Sequence, residues 1–213
     1  PGEVGRRRRA RFFARRTAAG AVLGFHSQAS HMIVQLAECP IMSPEIVALL
    51  PPLRRLVERL FAVGVQVEIA VTACHNGLDV TFYAPDEPEM SARVALAEFA
   101  EIHDLARLSW SLTGDGATAE PVVRRRAASI RFGDVVVEPP PDAFLQPTEA
   151  GEAALRVRIE DALGGTQRIA DLYAGCGAFA LPLASAGRHV FAIDNAAEHI
   201  AALENSARSS GFG

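Results

Sequence analysis

The chain has 213 residues, 49% hydrophobic and 22% charged, with a formal net charge of −4. That balance suits one large or two small globular domains, is too apolar for a disordered chain, and holds no apolar run of the roughly 18 residues that a membrane helix needs. Three cysteines are too few for a disulfide framework, and the first residues carry neither an initiator Met nor a signal-type apolar core, so a cytoplasmic monomer off the membrane is expected.

The amino-terminal stretch is basic. Residues 1–16 hold seven arginines against one acid, Glu3, and all 21 basic residues of the chain are arginine. Residues 8–14, 21–25 and 32–37 read as strands with Gly and Ser between them. Next, Ile46, Leu49, Leu50, Leu53, Leu56, Val57, Leu60 and Phe61 recur at the three-and-four spacing of one helical face. Ser43 suits the N-cap of this helix, Pro44 its first position and Gly64 its end. Pro51 and Pro52 fall inside it and predict a kink or two helices meeting there.

Residues 65–73 alternate, Asn76-Gly77 is a two-residue hairpin signal, and residues 78–83 complete the pair. A short helix over 92–100 follows, then strand-like pieces at 106–111, 122–124, 129–132 and 135–138. The whole reads as an antiparallel sheet with helices on one face. A second basic cluster, Arg124-Arg125-Arg126, lies among these pieces. Each cluster fits a solvated face or a phosphate-contacting one, because clustered arginines release counterions from a nucleic-acid backbone.

Pro139-Pro140-Pro141 predicts a boundary between an α+β domain over 1–141 and a second domain over 142–213. Beyond it the pattern alternates: helix 148–163, strand 168–173, helix 179–186, strand 189–193, helix 196–209. That is the opening of an α/β, Rossmann-like parallel sheet. It stops after two strands, so the chain is expected to be part of a longer protein.

The chemistry concentrates in Asp171-Leu-Tyr-Ala-Gly-Cys-Gly177. A strand runs into an acid and then a Gly-x-Gly turn, where Gly175 and Gly177 allow close backbone approach to a ligand. At the end of the next strand Asp194 can accept from ribose hydroxyls. A structural turn and a dinucleotide site remain alternatives. Asp171 would sit badly beside a pyrophosphate, which favours the phosphate-free S-adenosylmethionine.

With Ala143-Phe-Leu-Gln-Pro-Thr148, this segment resembles the class I RNA uridine-C5 methyltransferases, which make 5-methyluridine in transfer and ribosomal RNA. Arg7-Arg-Arg-Ala-Arg-Phe12, Ser30-His-Met-Ile-Val34, Glu38-Cys-Pro-Ile41 and the stretch from Gly133 to Pro140 extend the likeness along nearly the whole chain. The resemblance implies a central RNA-contacting domain followed by the start of a donor-binding domain. It implies that Gln146, Asp171, Tyr173, Gly175, Gly177 and Asp194 hold S-adenosylmethionine. Arg7, Arg9, Arg11 and Phe144 would face RNA. Ala178 departs from the Asn that many members carry.

Cys39-Pro40 matches the fourth cysteine of a [4Fe-4S] cluster, whose other three ligands are not in this chain. Cys74 is read as core, and Cys176 as a loop residue whose pKa a helix N-terminus could lower. The six histidines are read as packed or solvated, with His31 near RNA, and Trp110 as core. In the family reaction a cysteine thiolate adds to uracil C6, and a carboxylate later removes the C5 proton. Both groups are expected downstream of Gly213, so the chain alone is not expected to turn over. A non-catalytic RNA-binding remnant and a small-molecule methyltransferase are the alternatives.

Overall fold

A computed structural model describes residues 4–113 and 119–212; Glu3 of the basic stretch and Gly213 lie outside them. The chain divides into two compact units, one ending at Ala127 and the other beginning at Ala128.

In the first unit β1 (Arg9–Thr17), β2 (Gly20–His26) and β3 (Ile33–Gln35) lead to α1 (Pro44–Leu60). Then come β4 (Gln66–Cys74), β5 (Gly77–Ala84), α2 (Met90–Ile102), β6 (Arg107–Leu112) and β7 (Glu120–Arg124). The seven strands form one sheet in the order β3-β2-β1-β4-β5-β6-β7. The expected antiparallel pairing holds at every junction except β5–β6, which run parallel. The reason is the connection: α2 carries the chain back along the sheet, as a parallel pair requires.

Strand alternation sets the two faces. Ala10, Phe12 and Ala14 of β1 are buried, in one core with Leu23, Ile69, Phe82 and Leu108 from the sheet and Leu50, Leu53 and Leu96 from the helices. Arg9, Arg11, Phe13 and Arg15 occupy the alternate positions of the same strand. Trp110 is core, as expected: its ring stacks between Phe61 and Phe82, at 5.9 and 5.5 Å.

Two local expectations need correction. Pro51 and Pro52 suggested a kink or two helices meeting; of these, two helices are not formed, and α1 is a single helix with both prolines inside it. Two main-chain donors are lost there, but Pro52 joins Ile46, Leu49, Leu50, Leu53, Leu56 and Val57 on the buried face. At roughly 1.5–3 kcal/mol per large apolar side chain, that face outweighs the two missing bonds. Ser43 is the N-cap residue but its side chain makes no capping bond, and Gly64 lies beyond the end of α1, at φ +95°, in the turn to β4. In the β4–β5 hairpin Cys74 pairs with Gly77, so the two loop residues are His75 and Asn76, one step earlier than the Asn-Gly signal suggested.

The second unit begins with a hairpin of β8 (Ile130–Phe132) and β9 (Val135–Val137), then α3 (Glu149–Leu163), β10 (Arg168–Leu172), α4 (Ala180–Ser185), β11 (His189–Ile193) and α5 (Ala197–Ser209). This division places the hairpin with the second unit, whereas the proline run at 139–141 suggested a later boundary. A two-stranded hairpin is marginal by itself; Ile130, Phe132, Val135 and Val137 are buried, and β9 packs on α4 and α5. Thr148 caps α3 by accepting from the Gly151 N–H at 3.0 Å. β10 and β11 pair in parallel, as the alternation predicted. None of the described helices is long and apolar enough to cross a membrane.

Candidate functional site

The site grows from the carboxyl ends of β10 and β11. After Leu172 the chain turns through three positive-φ residues: Tyr173 (+60°), Gly175 (+54°) and Gly177 (+91°). The two glycines serve different ends. A Cβ on Gly175 would meet nothing within 4 Å, whereas one on Gly177 would lie 2.7 Å from Leu181 Cγ and 3.0 Å from Leu203 Cγ. Gly175 therefore leaves open space, and Gly177 lets the turn pack against α4 and α5. Tyr173, a non-glycine residue held left-handed, presents a ring that is 88% exposed; strain of this kind gathers at ligand sites.

Asp194 follows β11 and clamps the turn. One carboxylate oxygen accepts from the Gly175 N–H at 2.8 Å and the other from the Ala196 N–H at 2.9 Å. These main-chain donors, Ala196 foremost, hold its pKa below the ordinary carboxylate value, and the His199 ring nearby acts the same way. Asp171 goes the other way. Burial raises its pKa, partly offset by the Ala180 N–H, and the negative charge of Asp194 adds to the rise. Its Oδ2 is buried with no hydrogen-bond partner among the described residues.

Beside the clamp lies a cavity of about 270 Å³ lined by Phe132, Phe144, Gln146, Gly175, Phe179, Asp194, Asn195 and His199, among others. Of the residues singled out by sequence, it brings together Phe144, Gln146, Gly175 and Asp194. Leu145 is buried, and its neighbours Phe144 and Gln146 both line the cavity. Asp171, Tyr173 and Gly177 are not in the lining. Ala178 is, and offers no side-chain hydrogen bond there. A larger hollow of about 680 Å³, bounded by α4, β11 and α5, contains none of the predicted residues. Asn195 and His199 were not singled out, although both closely follow the acid at the start of a helix.

Cys176 corrects an expectation. Its thiol is pushed up to about 12, by burial first and then by the charges of Asp194 and Glu198. The helix N-terminus does not offset this rise: α4 is only six residues long. Cys74 is likewise raised to about 12, by burial first; it is half-buried and lies outside the core cluster in which its sequence reading placed it.

In the first unit Arg7 is exposed, and its Nε donates to the Arg9 carbonyl at 3.0 Å. Arg9 is half-buried; Arg11 pairs with Glu68 at 3.1 Å and lies 4.7 Å from the centroid of the Tyr83 ring. Two of the three arginines of the second basic cluster are taken up by the fold, while Arg124 is exposed at the end of β7. Arg125 and Arg126 both bind Asp104, and these bonds hold its carboxyl down at about 2. Arg126 also donates to the Asn76 carbonyl in the β4–β5 turn. His26 stacks on Phe13 at 3.8 Å, and His31 meets His26 edge-on at 6.0 Å. Cys39 is half-buried and packs against the core. No group of three or more His, Cys, Asp or Glu is placed to hold a metal among the described residues. The residues present thus do not fit an iron–sulfur cluster.

No protein-family model matches the chain. Over 175 residues it is 39% identical to an uncharacterised RNA methyltransferase of Mesorhizobium japonicum, covering 82% of this chain and 41% of that protein. Over 187 residues it is 31% identical to the 23S rRNA (uracil(1939)-C(5))-methyltransferase RlmD of Thiobacillus denitrificans, covering 84% and 43%. The chain thus spans about two fifths of the length of these relatives. The fold matches that of the Pyrococcus abyssi tRNA (uracil-54, C5)-methyltransferase, solved with S-adenosyl-L-homocysteine, at a TM-score of 0.75 and 18% identity, over 100% of this chain and 55% of that one. Over most of its length the chain is thus similar in sequence to RNA methyltransferases, a uracil-C5 enzyme among them, and it has the fold of another.

Proposed function

We propose that the protein transfers a methyl group from S-adenosylmethionine to C5 of uridine in ribosomal or transfer RNA, and that the second unit holds the donor. The observation that carries this reading is the Asp194 clamp: an ionised carboxylate, fixed by the Gly175 and Ala196 amides, at the edge of a cavity that Gln146 also lines. When bound, the donor supplies a sulfonium methyl group. Each Asp194 oxygen keeps a lone pair for a ribose hydroxyl. Gln146 can donate and accept at once, the exposed Tyr173 ring offers a face to the donor, and Phe144, 69% exposed, offers one to an RNA base.

A dinucleotide is disfavoured on electrostatic grounds. Its pyrophosphate would need a helix N-terminus clear of competing negative charge, but α4 is short and the Asp194 carboxylate, bound to the Gly175 N–H, stands at the turn that leads into it. Cys176, held as the thiol, is no candidate for attack on uracil C6. Arg7, Arg9 and Arg11 are the proposed phosphate contacts. An iron–sulfur cluster at Cys39 would require thiolates that the described residues do not bring to it.

Calorimetric titration of the full-length protein with S-adenosylmethionine, S-adenosylhomocysteine and NAD tests the donor site. Both sulfur nucleosides should bind, and Asp194→Ala should weaken them on the order of ten- to a hundredfold, the worth of a charge-assisted hydrogen bond. Tight NAD binding with no response to either sulfur nucleoside would overturn the reading. Mapping 5-methyluridine in RNA from cells with and without the gene tests the substrate. For the arginines, replacing Arg7, Arg9 and Arg11 by Ala should flatten the salt dependence of RNA affinity, by roughly 0.7–0.9 for each phosphate that an arginine no longer neutralises.

A further inference from the structure

Resting on the donor reading, we infer that His199 is a specificity-determining contact of the same cavity: with Asp194 it brackets the adjacent hydroxyls of the nucleoside sugar. The imidazole lines the cavity together with Asp194 and Asn195. Its Nδ1 stands 3.7 Å from Asp194 Oδ1, too far for the two groups to satisfy each other by a hydrogen bond. Two polar side chains at that separation, both on residues that line one cavity, can each meet one of two neighbouring hydroxyls.

The local chain holds both groups in place. Asp194 Oδ1 accepts from the Ala196 N–H, a turn in which an aspartate binds its own backbone two residues on, and the His199 N–H donates to the Ala196 carbonyl at 3.1 Å. The carboxylate and the imidazole are therefore oriented by one short segment before any ligand arrives, which lowers the ordering cost of binding. The rest of the lining suits a nucleoside: the rings of Phe132 and Phe179 supply apolar wall. The charges suit a free hydroxyl better than a phosphate on the sugar. Glu198 bears on the same turn as Asp194, and Asp171 lies within electrostatic reach of Asp194.

The test compares ligands as well as variants. Full-length wild type, His199→Ala and His199→Gln are titrated with S-adenosylhomocysteine, with its 2′-deoxy and 3′-deoxy counterparts, and with adenosine. Loss of one neutral hydrogen bond should weaken S-adenosylhomocysteine binding by His199→Ala roughly three- to tenfold. His199→Gln, which keeps a polar group, should recover part of the loss. The deoxy ligand that lacks the hydroxyl facing His199 should bind His199→Ala and wild type alike, a result that mere loosening of α5 would not produce. Equal loss for all four ligands, or wild-type affinity in His199→Ala, overturns the inference and leaves the donor reading standing. Adenosine binding with the predicted His199 dependence, but no response to S-adenosylhomocysteine, overturns the donor reading and leaves the sugar contact standing. A wild type that binds none of the four overturns both.

Discussion

Gly175 and Gly177 belong to one short motif, yet alanine should affect them very differently. At Gly175 the backbone is in the left-handed region and an added Cβ meets nothing within 4 Å. The cost is then the left-handed strain of about 1–2 kcal/mol, less about 0.4–1 kcal/mol recovered because alanine restricts the unfolded chain. A net loss of about 0–1.6 kcal/mol follows. At Gly177, φ is +91° and the new Cβ would sit 2.7 and 2.8 Å from Leu181 Cγ and Cδ1, with Leu203 Cγ at 3.0 Å. The Leu181 branch point cannot swing aside, and Leu203 closes the other side. Overpacking adds about 1–3 kcal/mol to a strain of about 1–3 kcal/mol, so Gly177→Ala should cost about 2–6 kcal/mol before the same unfolded-chain recovery. That is a large part of the roughly 5–15 kcal/mol by which a domain is stable. Urea unfolding followed by circular dichroism measures both variants. Donor titration should then show Gly175→Ala, though folded, binding more weakly, because its methyl group enters the space beside Asp194. Equal midpoints for the two variants, or a Gly177→Ala no less stable than Gly175→Ala, would refute the division of roles.

Three further outcomes follow from the same structure. Cys176 and Cys74, both raised to about 12, should resist iodoacetamide at about pH 8 in the native protein and react after urea unfolding; intact mass spectrometry reads this directly, and rapid native labelling of either would contradict it. Asp104 has its pKa depressed to about 2, so its contribution to stability is present above the ordinary carboxylate range and is lost as pH falls toward 2. Asp104→Asn should therefore flatten the acid-unfolding curve between about pH 4 and 2 relative to wild type, an effect that high salt weakens because the group is exposed. Thr148→Ala should lower stability by about 0.5–2 kcal/mol in urea titration, through loss of the cap on the Gly151 amide.

The parts legible in the sequence are those set by neighbours along the chain. The buried stripe of α1, the β4–β5 hairpin and the β10–α4–β11–α5 alternation all follow from periods of two and three to four residues. What sequence missed depends on residues far apart. The parallel pairing of β5 with β6 is decided by where α2 packs, not by either strand. Arg125 and Arg126 looked like a free basic cluster because their partner, Asp104, lies in the turn after α2 and no local charge count includes it. At the site, Asp194, Gly175 and Gln146 could be named from motif residues. The convergence of His199 on them could not, since it rests on the particular turn that Asp194 makes with Ala196.

The two acids of the site show how one fold assigns different jobs to the same side chain. Both stand at the ends of adjacent parallel strands, so sequence position alone treats them alike. Asp194 accepts from two main-chain amides, which favours its ionised form. Asp171 has burial as its largest influence and leaves one oxygen without a partner, which favours its neutral form, and the charge on Asp194 pushes it further that way. Groups driven apart like this mark separate roles. The acceptor whose ionised form is favoured is the one that lines the cavity, where a sugar would bind. The acid held toward neutrality sits on β10, half-buried and outside the cavity lining. A pyrophosphate at this turn would meet the charge of Asp194, while a sulfonium nucleoside brings no negative charge there, so the placement of these acids argues for the methyl donor independently of any likeness to other proteins.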